Sequence, residues 1–147
     1  MSKQLKLKIV TPEKLILEEL VDQVTLPTTE GELTILPDHV SMIAGLASGD
    51  VVAYVAGEHV PMAVSGGFIE VKQVDGNTEV AILADFAEHV ADITEEAIKQ
   101  AEAKAEELKK QAENKEVVDF EHFASELERS LTRVKIADKW RTRKYRK

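Results

Sequence analysis

The chain has 147 residues, a formal net charge of −8 and no cysteine. That length suits one domain, or one domain with an appendage, and an apolar fraction of 44% supports a packed core and argues against wholesale disorder. No disulfide framework or thiolate metal site can exist, so a metal would have to rest on His39, His59, His89, His122 and carboxylates. No run of about 18 apolar residues is available to span a membrane.

The opening MSKQLKLKIV has the period of a strand: Leu5, Leu7 and Ile9 alternate with Lys6 and Lys8. It lacks the apolar core of a signal segment and the Arg/Ser richness of a transit peptide, which predicts a cytoplasmic protein. Thr11-Pro12-Glu13-Lys14 reads as a turn. Further strands are predicted at LILEEL, VDQVTL, GELTIL, DVVAYVA, HVPMAVS, FIEVKQV and EVAILAD. Between them lie Pro27, Glu30-Gly31, Pro37-Asp38, Ser48-Gly49, Ala56-Gly57, Gly66-Gly67 and Asp75-Gly76-Asn77. Many short strands with Gly and Pro turns predict an all-β sandwich or barrel. Asp75-Gly76 is the clearest hairpin signal among them.

Beyond Asp92 the pattern changes. Thr94 to Asn114 contains no Gly or Pro and is dominated by Ala, Glu and Lys, which is helix composition. Asp92, three residues before Glu95, has capping-box spacing. Ala97, Ala101, Ala105, Leu108 and Ala112 form one stripe. A second stripe, Val117, Phe120, Ala124, Leu127, Leu131 and Val134, keeps heptad spacing. Asn114-Lys115-Glu116 is the expected connection, giving an antiparallel αα-hairpin. A seam built mostly of alanine buries little area and is therefore weakly held.

Charge is sorted along the chain. From Arg129 to Lys147 there are nine bases (Arg129, Arg133, Lys135, Lys139, Arg141, Arg143, Lys144, Arg146, Lys147) against Asp138 alone, a net of +8. The rest must carry −16, since −16 and +8 sum to −8. Sorted charge implies a partner or a segment with its own task. One reading is nucleic acid, with Trp140 and Tyr145 stacking beside phosphate-binding bases. The strongly acidic body opposes it and favours an acidic protein partner. Past Val134 the seam ends and Asp138 interrupts the apolar stripe, so these bases are expected to be free of core duties.

No catalytic constellation emerges. There is no G-x-G-x-x-G, no G-x-x-x-x-G-K-[ST], no G-x-S-x-G and no H-E-x-x-H. Ser65 before Gly66-Gly67 fits a tight turn better than a nucleophile. Asp38-His39 fits a turn and an exposed contact better than an acid–base pair, and His122 with Glu126 fits a surface pair better than metal ligation.

LPTTEGELTILPDHVSMI, VSGGFIEV and VAILADFAE, followed by an Ala-rich helix, closely resemble the epsilon subunit of F-type ATP synthases. The matching positions are Glu30-Gly31, Ile35-Leu36-Pro37 with His39, Ser65-Gly66-Gly67 with Glu70-Val71, and Leu83-Ala84-Asp85; ASELERSLTRVKI resembles the second helix. The resemblance spans essentially the whole chain. It implies an N-terminal flattened antiparallel β-sandwich over residues 1–87 and a C-terminal antiparallel helical hairpin over 88–147. It also implies a non-catalytic central-stalk rotor subunit of a proton-translocating complex, peripheral to the cytoplasmic face of a bacterial membrane. Its partners would be the gamma subunit, the c-ring, and the alpha and beta subunits of the catalytic head, with no nucleic acid and no metal.

By the same resemblance, Thr28, Thr29, Glu30, Gly31 and Glu32 would face the c-ring, and Pro37, Asp38 and His39 would touch both gamma and the c-ring. The hairpin would leave the sandwich and extend into the head to inhibit hydrolysis. Arg129, Arg133, Lys135, Lys139, Arg141, Arg143, Lys144 and Arg146 would form the inhibitory basic helix that meets acidic loops of beta. Some members bind ATP through I/L-D-x-x-R-A. Here Ile93 keeps its place, but Thr94 replaces the Asp, Ala97 the Arg and Ile98 the Ala. Two polar nucleotide contacts are lost, and no cofactor is expected.

Overall fold

The computed structural model describes residues 3–113 and 120–146. Eight strands come first: β1 Leu5–Val10, β2 Leu15–Val21, β3 Gln23–Thr28, β4 Gly31–Ile35, β5 Met42–Leu46, β6 Gly49–Val55, β7 Glu58–Val74 and β8 Asn77–His89. A 3-10 turn at Val90–Asp92 leads to helices α1 Glu95–Glu113 and α2 Phe120–Trp140. The β-then-αα architecture is the one expected from the sequence.

The strands form a continuous hydrogen-bonded network in the order β2-β1-β8-β7-β5-β3-β4, with β6 bridging β3 and β7. β1 is parallel to β8; the other pairs are antiparallel. Leu5, Leu7 and Ile9 of β1 are fully buried with Val24 and Leu26 of β3, Val51 of β6, Met62 and Ile69 of β7 and Ile82 of β8. The alternation of LKLKIV is therefore real, with its lysines on the water side.

Three features depart from the expected strands. HVPMAVS and FIEVKQV are halves of one 17-residue strand, β7, and Gly66-Gly67 do not reverse the chain. Their φ values of +60° and +128° kink it instead, where its neighbour changes from β6 (through Val64) to β5 (from Gly67). β5 had no sequence signal: MIAGL has no clean alternation and carries a glycine. Its Gly45 is required by packing, because an added Cβ would lie 2.9 Å from the Thr29 methyl. Lastly, VDQVTL is split at Asp22, with Val21 closing β2. The Asp75-Gly76 hairpin is as expected, both residues having positive φ (52° and 81°).

The cap of α1 is Thr94, not Asp92: its Oγ1 accepts the Ala97 N–H at 3.0 Å. Asp92 belongs to the preceding 3-10 turn. The buried stripe of α1 is Ile98, Ala101, Ala105 and Leu108, so Ile98 takes the place expected for Ala97. It packs on α2. Val117 and the Asn114–Glu116 connection lie outside the described residues, as do the side chains of Ala112, Phe120 and His122.

The larger correction concerns α2. Of its expected seam, Ala124 and Leu131 are exposed, and Leu127 and Val134 are half-buried. The deeply buried residues include Thr132, Ile136 and Trp140, spaced by four. Ile136 and Trp140 pack on Ala63 of β7 and Val90, with Val52 of β6 and Ile93 alongside. Ile136 lies about 200° around the helix from Val134, so this is a second apolar face that a single heptad frame does not contain. The end of α2 is thus committed to the sandwich, and Lys139 and Arg146 pair with its acids, contrary to the expectation that the bases past Val134 are free of core duties.

Candidate functional site

The β3–β4 turn is built by its threonines. Thr28 Oγ1 donates to the Gly31 carbonyl and accepts the Glu30 N–H at 3.2 Å, while Thr29 N–H donates to Gly45 O at 3.0 Å. Thr28 is a half-buried support; Thr29, Glu30, Gly31 and Glu32 are exposed to water. Pro37, Asp38 and His39 lie at the opposite end of β4. Its rise of about 3.4 Å per residue sets the two segments about 14 Å apart, so they are two places and not one site.

The second segment is tied to the β7–β8 hairpin. Asp38 N–H donates to Thr78 Oγ1 at 2.7 Å, and that hydroxyl donates to Gln73 Oε1 at 2.9 Å. Gln73 Nε2 donates to the His39 carbonyl. Thr78 is buried with its hydroxyl satisfied in both roles. These bonds hold Asp38 at φ +71° and leave its carboxylate to meet Lys3 at 2.6 Å.

Between these segments and β1 the structure shows a surface that residue-type reasoning had passed over. The cross-strand row Gly45–Phe68–Leu83–Val10 runs over β5, β7, β8 and β1, next to Ile43–Glu70–Ala81–Lys8. Phe68 is 64% exposed, Ile43 73% and Leu83 56%; Val40 and Leu36 are also exposed. A Phe–Leu cross-strand pair would ordinarily be covered, and a group of such side chains in water marks an interaction surface. The sequence held a signal: in FIEVKQV, Phe68 shares its face with Glu70 and Lys72, an aromatic on the water side.

The basic residues of α2 and the segment after it face acids of the same chain. Arg133 holds Glu88 in a fork at 2.7 and 3.0 Å, and the guanidinium groups of Arg129 and Arg133 lie over the Phe86 ring. Arg129 also donates to Asp85 O at 3.3 Å. Lys139 Nζ and Trp140 Nε1 both donate to Asp50 Oδ2, at 2.8 and 2.9 Å. Arg146 forks onto Glu19 at 2.7 and 2.8 Å. That hydrogen-bonded pairing holds the Glu19 carboxyl below its ordinary range and raises Arg146. Arg141 pairs with Asp138 at 3.3 Å on the surface, Arg143 lies over the Trp140 ring, and Lys135 and Lys144 are exposed.

The four residues aligned with the nucleotide motif have structural tasks. Ile93 packs beside Val90, Thr94 caps α1, Ala97 receives that cap and Ile98 starts the buried stripe. Among the described residues, no group of three or more His, Asp or Glu is placed to hold a metal ion.

The family model for the ATP synthase delta/epsilon chain β-sandwich domain matches residues 4–90. The ATP synthase epsilon chain of Nitratidesulfovibrio vulgaris is 38% identical over 92% of this chain and 97% of its own. That of Desulforamulus reducens is 36% identical over 94% of this chain and 100% of its own. The chain belongs to the ATP synthase epsilon-chain family. Two solved assemblies share its fold. A chain of the Euglena gracilis mitochondrial ATP synthase matches with a TM-score of 0.62 and 24% identity, covering 92% of this chain and 80% of its own. One in the central stalk and c-ring of the Tetrahymena thermophila enzyme matches with 0.54 and 16%, covering 97% and 100%. The family's sandwich match ends one residue beyond β8.

Proposed function

We propose that this epsilon chain, a non-catalytic subunit, works as a rotor part of the central stalk. The sandwich grips the gamma subunit through the Phe68–Leu83–Ile43 face and rests on the c-ring through the Glu30–Glu32 turn and the Pro37–His39 segment. Torque from ion flow, taken as protons, passes through it to the alpha–beta head at the cytoplasmic face of the membrane. The single observation carrying this reading is the apolar cross-strand row left in water on a domain whose core is otherwise complete. The hairpin packs elsewhere, on β6, β7 and the Val90 turn, so its position does not cover that face.

The hairpin serves as a detachable inhibitor of hydrolysis. Support comes from its seam, where two of the four buried α1 residues are alanines. Such a seam loses little apolar area when α2 finds another surface.

Copurification tests the assembly reading. A tagged chain should bring down gamma, alpha and beta, and Phe68→Asp with Ile43→Asp should lose them while leaving the sandwich folded. Recovery of salt-sensitive RNA or DNA in their place would overturn the reading in favour of nucleic-acid binding. The inhibitory role is tested by assembling residues 1–93 into the complex: hydrolysis should rise while coupled synthesis persists.

A further inference from the structure

The charge sorted toward the C-terminal stretch is met in part within the molecule. Three bases of the +8 stretch are already engaged within the chain. Arg133, Lys139 and Arg146 are taken by Glu88, Asp50 and Glu19, all of the sandwich. α1 packs on α2, and the apolar attachment to the sandwich is made by the end of α2.

The segment after Trp140 adds a specific fastening. The Arg146 N–H donates to the His59 carbonyl at 2.8 Å, at the start of β7. Its guanidinium reaches across to Glu19 on β2, so one residue joins two strands. Tyr145 meets Trp140 edge-on with ring centres 5.9 Å apart; His59 lies against Trp140 at 5.9 Å and against Tyr54 at 5.1 Å. Trp140 itself is buried and anchored to Asp50. An indole hydrogen-bonded at its polar edge and a forked guanidinium are geometrically demanding contacts, made in one docked position.

We infer that residues 140–146 are a latch that holds the helical hairpin on its own sandwich, and that an acidic partner must compete with Glu19 and Asp50 to free it. The tail's charge then acts in two opposed ways. Arg146 and Lys139 favour the docked hairpin, whereas Arg141, Arg143 and Lys144 remain more accessible to a partner. The inference rests on reading the hairpin as detachable, but the distance measurement that tests it needs no other subunit.

The absence of native cysteine allows a clean distance measurement. Spin labels on Ser125→Cys in α2, one turn before Arg129, and Glu13→Cys in the β1–β2 turn, which lines the same hollow as Arg129 and Arg133, are both at exposed positions and report the hairpin against the sandwich in the full-length isolated chain. The otherwise unaltered chain should give one dominant short-distance population. Arg146→Gln, and separately Glu19→Gln, should each raise the long-distance population about threefold to tenfold, as expected for a half-buried forked pair. The swap Glu19→Arg with Arg146→Glu should restore the short distance at least in part. Unchanged distributions in both single variants would overturn the latch. So would an equal rise in the swap and in the singles, which would reduce Arg146 to a general surface charge. Far-UV circular dichroism checks that the strands persist, and copurification of Arg146→Gln with gamma keeps failure of the latch distinct from failure of the rotor reading.

Discussion

Gly67→Ala should unfold the sandwich far more readily than any comparable glycine change. A Cβ at Gly67 would lie 2.0 Å from the Leu83 carbonyl oxygen and 3.0 Å from the Ala84 Cα. Both are backbone atoms of the paired strand β8, so no side-chain rotation relieves the clash; β7 and β8 must part. The backbone there also sits at φ +128°, a region alanine avoids. Overpacking costs about 1–3 kcal/mol and the backbone strain about as much again, so the sum is about 2–6 kcal/mol. Against a typical total of about 5–15 kcal/mol, that is a large fraction. Gly76→Ala is the control: its φ is +81°, but nothing lies within 4 Å of the added carbon, so only about 1–2 kcal/mol should be lost. Gly66→Ala should fall between them, because its clash is with the Asp85 carboxylate at 2.8 Å, which can swing away. Urea unfolding followed by far-UV circular dichroism reads all three. With a slope of about 2 kcal/mol per molar, the Gly67 midpoint should drop by about 1–3 M. A drop no larger than that of Gly76→Ala would refute the close strand approach, and with it the kinked β7 that carries the Phe68 face.

The latch should also weaken in acid. The Glu19 value is depressed below the ordinary 4.5 in the folded chain, so its contribution is complete above that pH and is lost as pH falls through the lower folded value. His89 acts on Glu19 and Glu58 on Arg146 through their charge, and His59 touches Arg146 through its carbonyl. The docked fraction, read by the fluorescence of Trp140, should therefore fall on acidification, with a step that is absent from Glu19→Gln. Thr94→Ala should cost α1 about 1 kcal/mol through loss of its cap, seen as faster amide exchange in the first turn. In the assembled complex, Arg146→Gln should strengthen inhibition of hydrolysis, and a joint Arg141→Gln, Arg143→Gln, Lys144→Gln variant should weaken it; equal effects of the two would remove the division of labour. A calorimetric titration of the isolated chain with ATP should show no micromolar binding, since Thr94 and Ala97 offer neither carboxylate nor guanidinium.

Strand content and helix composition were readable because they rest on local periodicity. LKLKIV, the Asp75-Gly76 turn and the Ala-rich start of α1 each carry their structure within a few residues. What was hidden depended on contacts remote in sequence. Gly66-Gly67 have the composition of a turn, and only the continuity of pairing with β8 shows that the strand runs through. Gly45 weakens β5 as a signal, yet the strand pairs with β7 along its whole length, and an added Cβ at Gly45 would crowd the Thr29 methyl. The second face of α2 could have been found from the spacing of Thr132, Ile136 and Trp140, but its meaning needs Ala63 and Val90, remote in the chain. Likewise nothing local assigns Glu19 to Arg146, 127 positions later. The turn at Thr28–Glu32 and the Pro37–His39 segment were visible as motifs. The Phe68 face was legible only in part: Phe68 shares a strand face with Glu70 and Lys72, but Leu83 and Ile43 join it only through strand pairing.

The central claim is that this face binds gamma. Titrating purified gamma subunit with the full-length chain, its Phe68→Asp, Ile43→Asp double variant and a Glu30→Gln, Glu32→Gln control measures it directly. The account predicts tight binding for the native sequence and for the control, and a loss of at least a hundredfold for the double variant, since two buried apolar anchors are each worth about 1.5–3 kcal/mol and buried carboxylates cost more. Undiminished affinity in a folded double variant would contradict it.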